Sequence, residues 1–169
     1  MFYGIPSEKA HQDLKLALDK LASVYPGAVY ANDMLITISR NLTFRSDENF
    51  MQSFLSSAQD DKQRSQLWRL HTLIWAAQNV LHLDGDFVEC GVHKGFSSEV
   101  ICKYLGFQDL PRHYYLYDTF SGLSEQTSTE EERNQNSAYT QLDSEAWYRE
   151  VCEKFSPYGN VHIVRGVVP

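Results

Sequence analysis

The residues with the most chemical content lie in the run Gly85-Asp86-Phe87-Val88-Glu89-Cys90-Gly91-Val92-His93-Lys94-Gly95-Phe96-Ser97-Ser98. A short apolar strand ends in the carboxylate of Glu89, and Gly91 and Gly95 then lead into a helix. Glycines at a strand-to-helix turn let backbone approach a ligand closely, and the helix start presents N–H groups to it. A second acidic side chain, Asp118, ends the apolar segment Tyr114-Tyr115-Leu116-Tyr117. In open parallel sheets, ligands bind beyond the carboxyl ends of the strands, so Glu89, the glycines and Asp118 are expected to converge there. A carboxylate in Asp118's place suits both hydroxyls of a ribose, and hydrogen bonds to a charged group contribute roughly 1.5–3 kcal/mol each.

The glycine spacing separates this turn from two familiar nucleotide cradles. Gly91-Val92-His93-Lys94-Gly95 does not satisfy the dinucleotide pattern G-x-G-x-x-G, and Lys94 precedes its glycine where a P-loop lysine follows one. Glu89 would also repel a pyrophosphate. A nucleoside cofactor carrying an amino-acid group and a cationic sulfonium fits better, which makes S-adenosylmethionine the leading candidate. A nucleotide-dependent oxidoreductase of related architecture is the disfavoured alternative. His93 reads as a solvated or hydrogen-bonded side chain, and Cys90 as a small buried strand residue. Glu130, Glu131 and Glu132 read as a solvated face, not a metal cluster. Nothing in the sequence supports pairing Arg165 with a substrate anion. No catalytic residue and no metal ligand is assigned.

Helices and strands must place these groups. Ser7 is expected to cap a helix carrying Leu14, Ala17, Leu18 and Leu21, ended by Pro26-Gly27. Leu35-Ile36-Thr37-Ile38 is ambiguous between helix and strand. Asp47 begins a helix with Phe50, Met51, Phe54 and Leu55 on one side. One long helix is expected from about Asp61 to Leu81, with Leu67, Leu70, Ile74, Ala77 and Leu81 as its buried stripe and Trp68 and Trp75 as packing residues beside it.

The rhythm changes near Leu83. Asp86 to Cys90 reads as a strand, about Phe96 to Tyr104 as a helix stopped by Gly106, and Tyr114 to Tyr117 as a second strand. A polar stretch from Thr119 to about Thr140 follows, of the length usually found in lids and binding loops. Trp147, Tyr148, Val151, Cys152 and Phe155 then mark a helix, Pro157-Tyr158-Gly159-Asn160 a turn, and Val161 to Arg165 a third strand. The fold class expected is α/β: a Rossmann-like parallel sheet with right-handed crossovers (84–169), preceded by an N-terminal helical cap or lid region (1–83).

The composition excludes several classes. The 169 residues suit one domain, and a domain near this size buries about 70% of its unfolded surface. A net charge of −7 with no basic cluster argues against nucleic-acid binding. Cys90, Cys102 and Cys152 form no CxxC pair, so free thiols in a reducing compartment are expected, with no zinc site or disulfide framework. No apolar run approaches the ~18 residues of a membrane span, and the start Met1-Phe2-Tyr3-Gly4-Ile5-Pro6 lacks the regions of a signal peptide. A cytoplasmic, soluble protein without membrane partners is the expectation.

Glu89-Cys90-Gly91-Val92-His93-Lys94-Gly95 resembles the first motif of class I S-adenosylmethionine-dependent methyltransferases, acidic-x-Gly-x-x-x-Gly. More narrowly, the chain resembles the macrocin O-methyltransferase family, which modifies hydroxyls on sugars of macrolides and related small molecules. The stretches that carry this are Gly85 to Gly95, Tyr115-Leu116-Tyr117-Asp118-Thr119-Phe120-Ser121-Gly122-Leu123, and Val161 to Pro169. The family's acidic-[Ser/Thr]-Phe-x-Gly-[Leu] element is met by Asp118, Thr119, Phe120, Gly122 and Leu123. The resemblance implies that Glu89, Gly91 and Gly95 line the methionine end of the cofactor, that Phe96 and Ser97 cover it from the helix start, and that Asp118, followed by Thr119, holds the ribose.

In that family, the acidic ligands of a divalent metal and the catalytic machinery come from a later part of the fold. This chain ends after its third strand, so no such residue is carried over. Methyl transfer to a hydroxyl of a small molecule is the function implied. A truncated, inactive cofactor-binding domain is the alternative, with the apolar edge at Phe87-Val88 favouring self-association into a homo-oligomer.

Overall fold

Four helices start where a short polar side chain accepts a free backbone N–H, as helix N-caps do. Ser7 accepts from Ala10 at 3.2 Å, Asp47 from Phe50 at 2.9 Å, Asp60 from Gln63 at 2.7 Å, and Asp143 from Glu145 and Ala146. The computed structural model describes residues 5–125, 128–135 and 143–168. In chain order the elements are α1 (Glu8–Val24), β1 (Val29–Asn32), β2 (Leu35–Ile38), α2 (Glu48–Ser57), α3 (Asp61–Ser65), α4 (Leu67–Asn79), β3 (Phe87–Cys90), α5 (Phe96–Leu105), β4 (Tyr114–Asp118), α6 (Glu130–Gln135), α7 (Ser144–Phe155) and β5 (Val161–Arg165).

Two compact units are present, one up to Leu73 and one from Ile74 on. In the first, the ambiguous Leu35–Ile38 segment is a strand, paired antiparallel with β1 through a turn at Asp33 and Met34, whose φ angles are +49° and +61°. Two successive left-handed residues match the twist of a tight hairpin. Arg69 grips Asp33 with two hydrogen bonds of 3.0 Å. Phe44, Phe50 and Phe54 are buried, and the His71 ring stacks on Phe44 with centroids 4.2 Å apart. Burial there lowers the imidazole pKa from its ordinary value, against the opposing charge of Asp47.

Several expectations for this region need correction. The single helix from Asp61 to Leu81 is two, broken at Gln66, whose N–H bonds Gln63 three residues back and closes the first of them. Leu70, Ile74 and Ala77 are buried as the periodicity predicts, whereas Trp75 is 60% exposed and no packing residue. Leu55 is likewise exposed, and α2 buries Phe50, Ser53, Phe54 and Ser57 instead.

The second unit is α/β and Rossmann-like. Its parallel sheet has the order β3-β4-β5, with α5 and α7 as crossovers. Register sets Phe87 opposite Tyr114 and Tyr114 opposite Val161. Phe87, Phe107 and Tyr114 pack ring to ring at 5.3–5.7 Å on the side where α5 lies. Val100, Cys102, Phe107, Leu116 and Val151 have no exposed surface. Gly106 closes α5 with φ +59°, as expected. Among the described residues β3 is an edge strand, with Val88 61% exposed. Within the long polar stretch, Thr129 and Glu132 start α6 reciprocally: Glu132 accepts the Thr129 N–H at 2.8 Å and Thr129 accepts the Glu132 N–H. Residues 126–127 and 136–140 of that stretch lie outside the described residues. No described helix is long and apolar enough to cross a membrane.

Candidate functional site

Alternation along β3 puts Glu89 on the same face as Phe87, toward α5. Its carboxylate is enclosed by hydroxyls. Ser97 donates to Oε1 and Ser98 to Oε2, both at 2.6 Å, and Tyr114 donates to Oε2 at 2.8 Å. Burial, reinforced by the Glu89 charge, holds the Tyr114 phenol well above its ordinary pKa. The buried Cys102 thiol beside it is pushed up to about 12 by burial and then by Glu89 and Glu99. Glu89 and Ser97 thus meet each other, tying the first turn of α5 to the sheet. Glu89, Ser97, Gly95 and Phe96 do not line the cavity described below.

The glycine turn is satisfied from within. Gly91 (φ +86°) donates its N–H to the Tyr117 carbonyl at 2.8 Å, and Gly95 (φ +72°) donates to Val92 at 2.9 Å. His93, also left-handed at φ +52°, donates its N–H to Asp118 Oδ2 at 2.7 Å. These amides, expected to face a ligand, already have acceptors. What the turn offers instead is close approach: the position of a Cβ on Gly91 is open space. Gly95 serves packing, since a Cβ there would stand 2.6 Å from Phe155 Cε2. Phe96 is buried at the start of α5.

Asp118 ends β4 and accepts a second N–H, from Phe120 at 2.8 Å on Oδ1. A carboxylate has about four acceptor directions, so each oxygen keeps one. Thr119 donates its hydroxyl to the Gly122 carbonyl at 2.8 Å and accepts the Ser121 N–H. This folds the Asp118–Gly122 segment into a local turn with Phe120 fully buried beneath it.

Beyond the carboxyl ends of the three parallel strands lies a cavity of about 330 Å³. Gly91, Asp118 and Thr119 line it together with Cys90, while Leu123, Trp147 and Val167 give it an apolar wall. Cys90 is exposed, contrary to its reading as a buried strand residue, because the alternation that turns Glu89 toward α5 turns Cys90 to the other face. Trp147 was legible only as an apolar helix residue. The signal that finds it is topological, since the first turn of a helix that follows a long loop after β4 returns to the carboxyl edge of the sheet.

Arg165 is engaged inside the chain. It pairs with Glu145, donates to Ser144 Oγ at 2.7 Å and lies 5.3 Å from the Tyr148 ring centroid. Glu130, Glu131 and Glu132 are exposed, and Glu132 is held below the usual carboxylate range by the N–H and hydroxyl of Thr129. Among the described residues, no group of three or more His, Cys, Asp or Glu side chains is placed to hold a metal ion.

No protein-family model matches this chain, and no curated protein matches it in sequence. Among solved structures the chain is similar to the O-methyltransferase NovP, at 19% identity over 90% of this chain and 64% of that one, with a TM-score of 0.45. The chain therefore spans less than two thirds of the length of that structure.

Proposed function

We propose that the chain binds S-adenosylmethionine and forms the cofactor half of an O-methyltransferase of the macrocin type, which passes the methyl group to a hydroxyl of a sugar or natural-product molecule. One observation carries this reading: the side-chain-free approach at Gly91 and the carboxylate of Asp118 meet on a single cavity at the carboxyl edge of a parallel sheet. In this reading the free acceptor directions of Asp118 take the ribose hydroxyls, and Leu123 and Val167 give the base an apolar wall. Gly91 admits the amino-acid end. Glu89, Gly95, Phe96 and Ser97 act from behind, by fixing the turn. Holding sulfur, methyl and acceptor oxygen in line supplies much of the acceleration in such a transfer. The divalent metal that the family resemblance brings with it finds no ligand set among the described residues.

A second reading, cofactor binding without transfer, is favoured by the state of Asp118. Its carboxylate lines the cavity but already accepts two backbone N–H groups, and its remaining acceptor directions go to the ribose in the first reading, which leaves none for an acceptor hydroxyl.

Thermal unfolding with S-adenosylhomocysteine, NAD and ATP tests the cofactor. S-adenosylhomocysteine alone is expected to stabilise the chain, by about 2.7 kcal/mol at one hundred times its Kd. That gain is expected to vanish in Asp118→Ala. Absence of any shift with S-adenosylhomocysteine rejects the reading. Transfer of labelled methyl from S-adenosylmethionine to sugar and macrolide hydroxyls then separates the active from the inactive form.

A further inference from the structure

His93 is a non-glycine residue in the left-handed region, at φ +52°. Such a conformation persists where the surroundings over-determine it. Both of its backbone polar groups are held by side chains that line the cavity. Asp118 Oδ2 accepts its N–H at 2.7 Å, and the indole Nε1 of Trp147 donates to its carbonyl at 2.7 Å. Lys154, two turns further along α7, donates to the next carbonyl, that of Lys94, at 3.0 Å. The Trp147 ring, 5% exposed, meets the His93 ring edge-on at 5.3 Å and the Phe120 ring at 5.7 Å. Helix α7 is itself pinned to the end of β5 through Arg165, Glu145 and Ser144.

We infer that Trp147 is a positioning residue for the cofactor turn. Through its indole N–H, it holds His93 in the left-handed conformation that brings the backbone of Gly91 and His93 to the cavity. The inference rests on reading that cavity as a cofactor site. Asp118 acts on the N–H side of His93 and Trp147 on its carbonyl side, so the two bonds restrain the peptide planes on either side of the residue. Lys154 acts one peptide later and does not line the cavity.

Trp147→Phe keeps an aromatic ring and removes the donor. In the full chain without ligand, the amides of His93 and Gly95 are expected to exchange hydrogen about threefold to tenfold faster, the range set by the loss of one neutral hydrogen bond. Amides of β4 are expected to be unchanged. Affinity for S-adenosylhomocysteine is expected to weaken by a similar factor. His93→Gly in the Trp147→Phe background is expected to restore affinity to within about twofold of the parent, because glycine adopts φ +52° without strain. General loosening of the fold would not be rescued by adding a glycine. Should Trp147→Phe fail to fold, benzothienylalanine at the same position keeps the indole shape without the N–H. Parent-like exchange and parent-like affinity in the variant overturn the positioning role and leave the cofactor reading standing. Faster exchange with no S-adenosylhomocysteine binding in the parent does the reverse.

Discussion

Glu89 and Asp118 lie near the carboxyl ends of neighbouring parallel strands, and the regions around them do opposite things. Behind β3, a carboxylate is enclosed by three hydroxyls and serves the fold. At the rim of β4, a carboxylate accepts two amides and lines a cavity. Register explains the difference. Glu89 sits opposite Leu116, two residues short of Asp118, which is about 6.6 Å lower along the sheet. At that depth the first turn of α5 covers Glu89, whereas Asp118 clears the helix and meets open space. The lesson is that an acidic residue in a cofactor-like motif acts through the layer in which it lies.

The largest effect expected from breaking this contrast is that of Glu89→Ala. It removes the shared acceptor of Ser97, Ser98 and Tyr114 and is expected to cost about 3 kcal/mol or more in urea unfolding. Asp118→Ala is expected to cost less stability, about 1–3 kcal/mol, and to lose the S-adenosylhomocysteine shift entirely. If Glu89→Ala proves as stable as the parent, the division of labour between the two carboxylates is wrong.

Gly95→Ala and Gly91→Ala sharpen the same contrast within the turn. Both force alanine into the left-handed region, at about 1–2 kcal/mol. Only Gly95→Ala also drives a methyl into Phe155, adding roughly 1–3 kcal/mol. Equal losses of stability in the two variants would remove the packing role assigned to Gly95.

The covered region should also be sensitive to alkali. Folding raises the Cys102 thiol from its ordinary 9.0 to about 12. The unfolded chain therefore releases that proton first: the stability is fully present below about pH 9 and drains as pH rises toward 12. Urea midpoints at rising pH should fall in the parent and fall less steeply in Cys102→Ala. Tyr114→Phe is the mildest change. Glu89 keeps its two serine donors, so a loss of about 1 kcal/mol is expected, with ligand affinity unchanged.

Much of the frame was legible because it depends on local chemistry. Ser7, Asp47 and Gly106 mark helix ends through capping, and the apolar runs around Val88, Leu116 and Ile163 are the parallel strands. The hairpin at Asp33-Met34 was not legible, since methionine carries no preference for the left-handed region and only pairing with Val29–Asn32 makes Leu35–Ile38 a strand. The break at Gln66 also escaped periodicity, because the apolar stripe begins only at Leu67 and the polar run Asp61–Ser65 carries no apolar period to interrupt. Trp75 and Leu55 satisfied a helical spacing and are nevertheless exposed.

At the candidate site, Asp118 and the Gly91 turn could be named from type and spacing, because strand ends and glycines are local signals, whereas Thr119 came with the family resemblance. Strand alternation, equally local, already separates Glu89 from Cys90. Three things came only with tertiary structure: the hydroxyl cage that occupies Glu89, the indole of Trp147 on the carbonyl of His93, and the acceptors that satisfy the turn's own amides. Most of these contacts join separate elements (Tyr114 to Glu89, Trp147 to His93, the Gly91 and His93 amides to the end of β4), and such partners are chosen by register and helix packing, which no local pattern encodes.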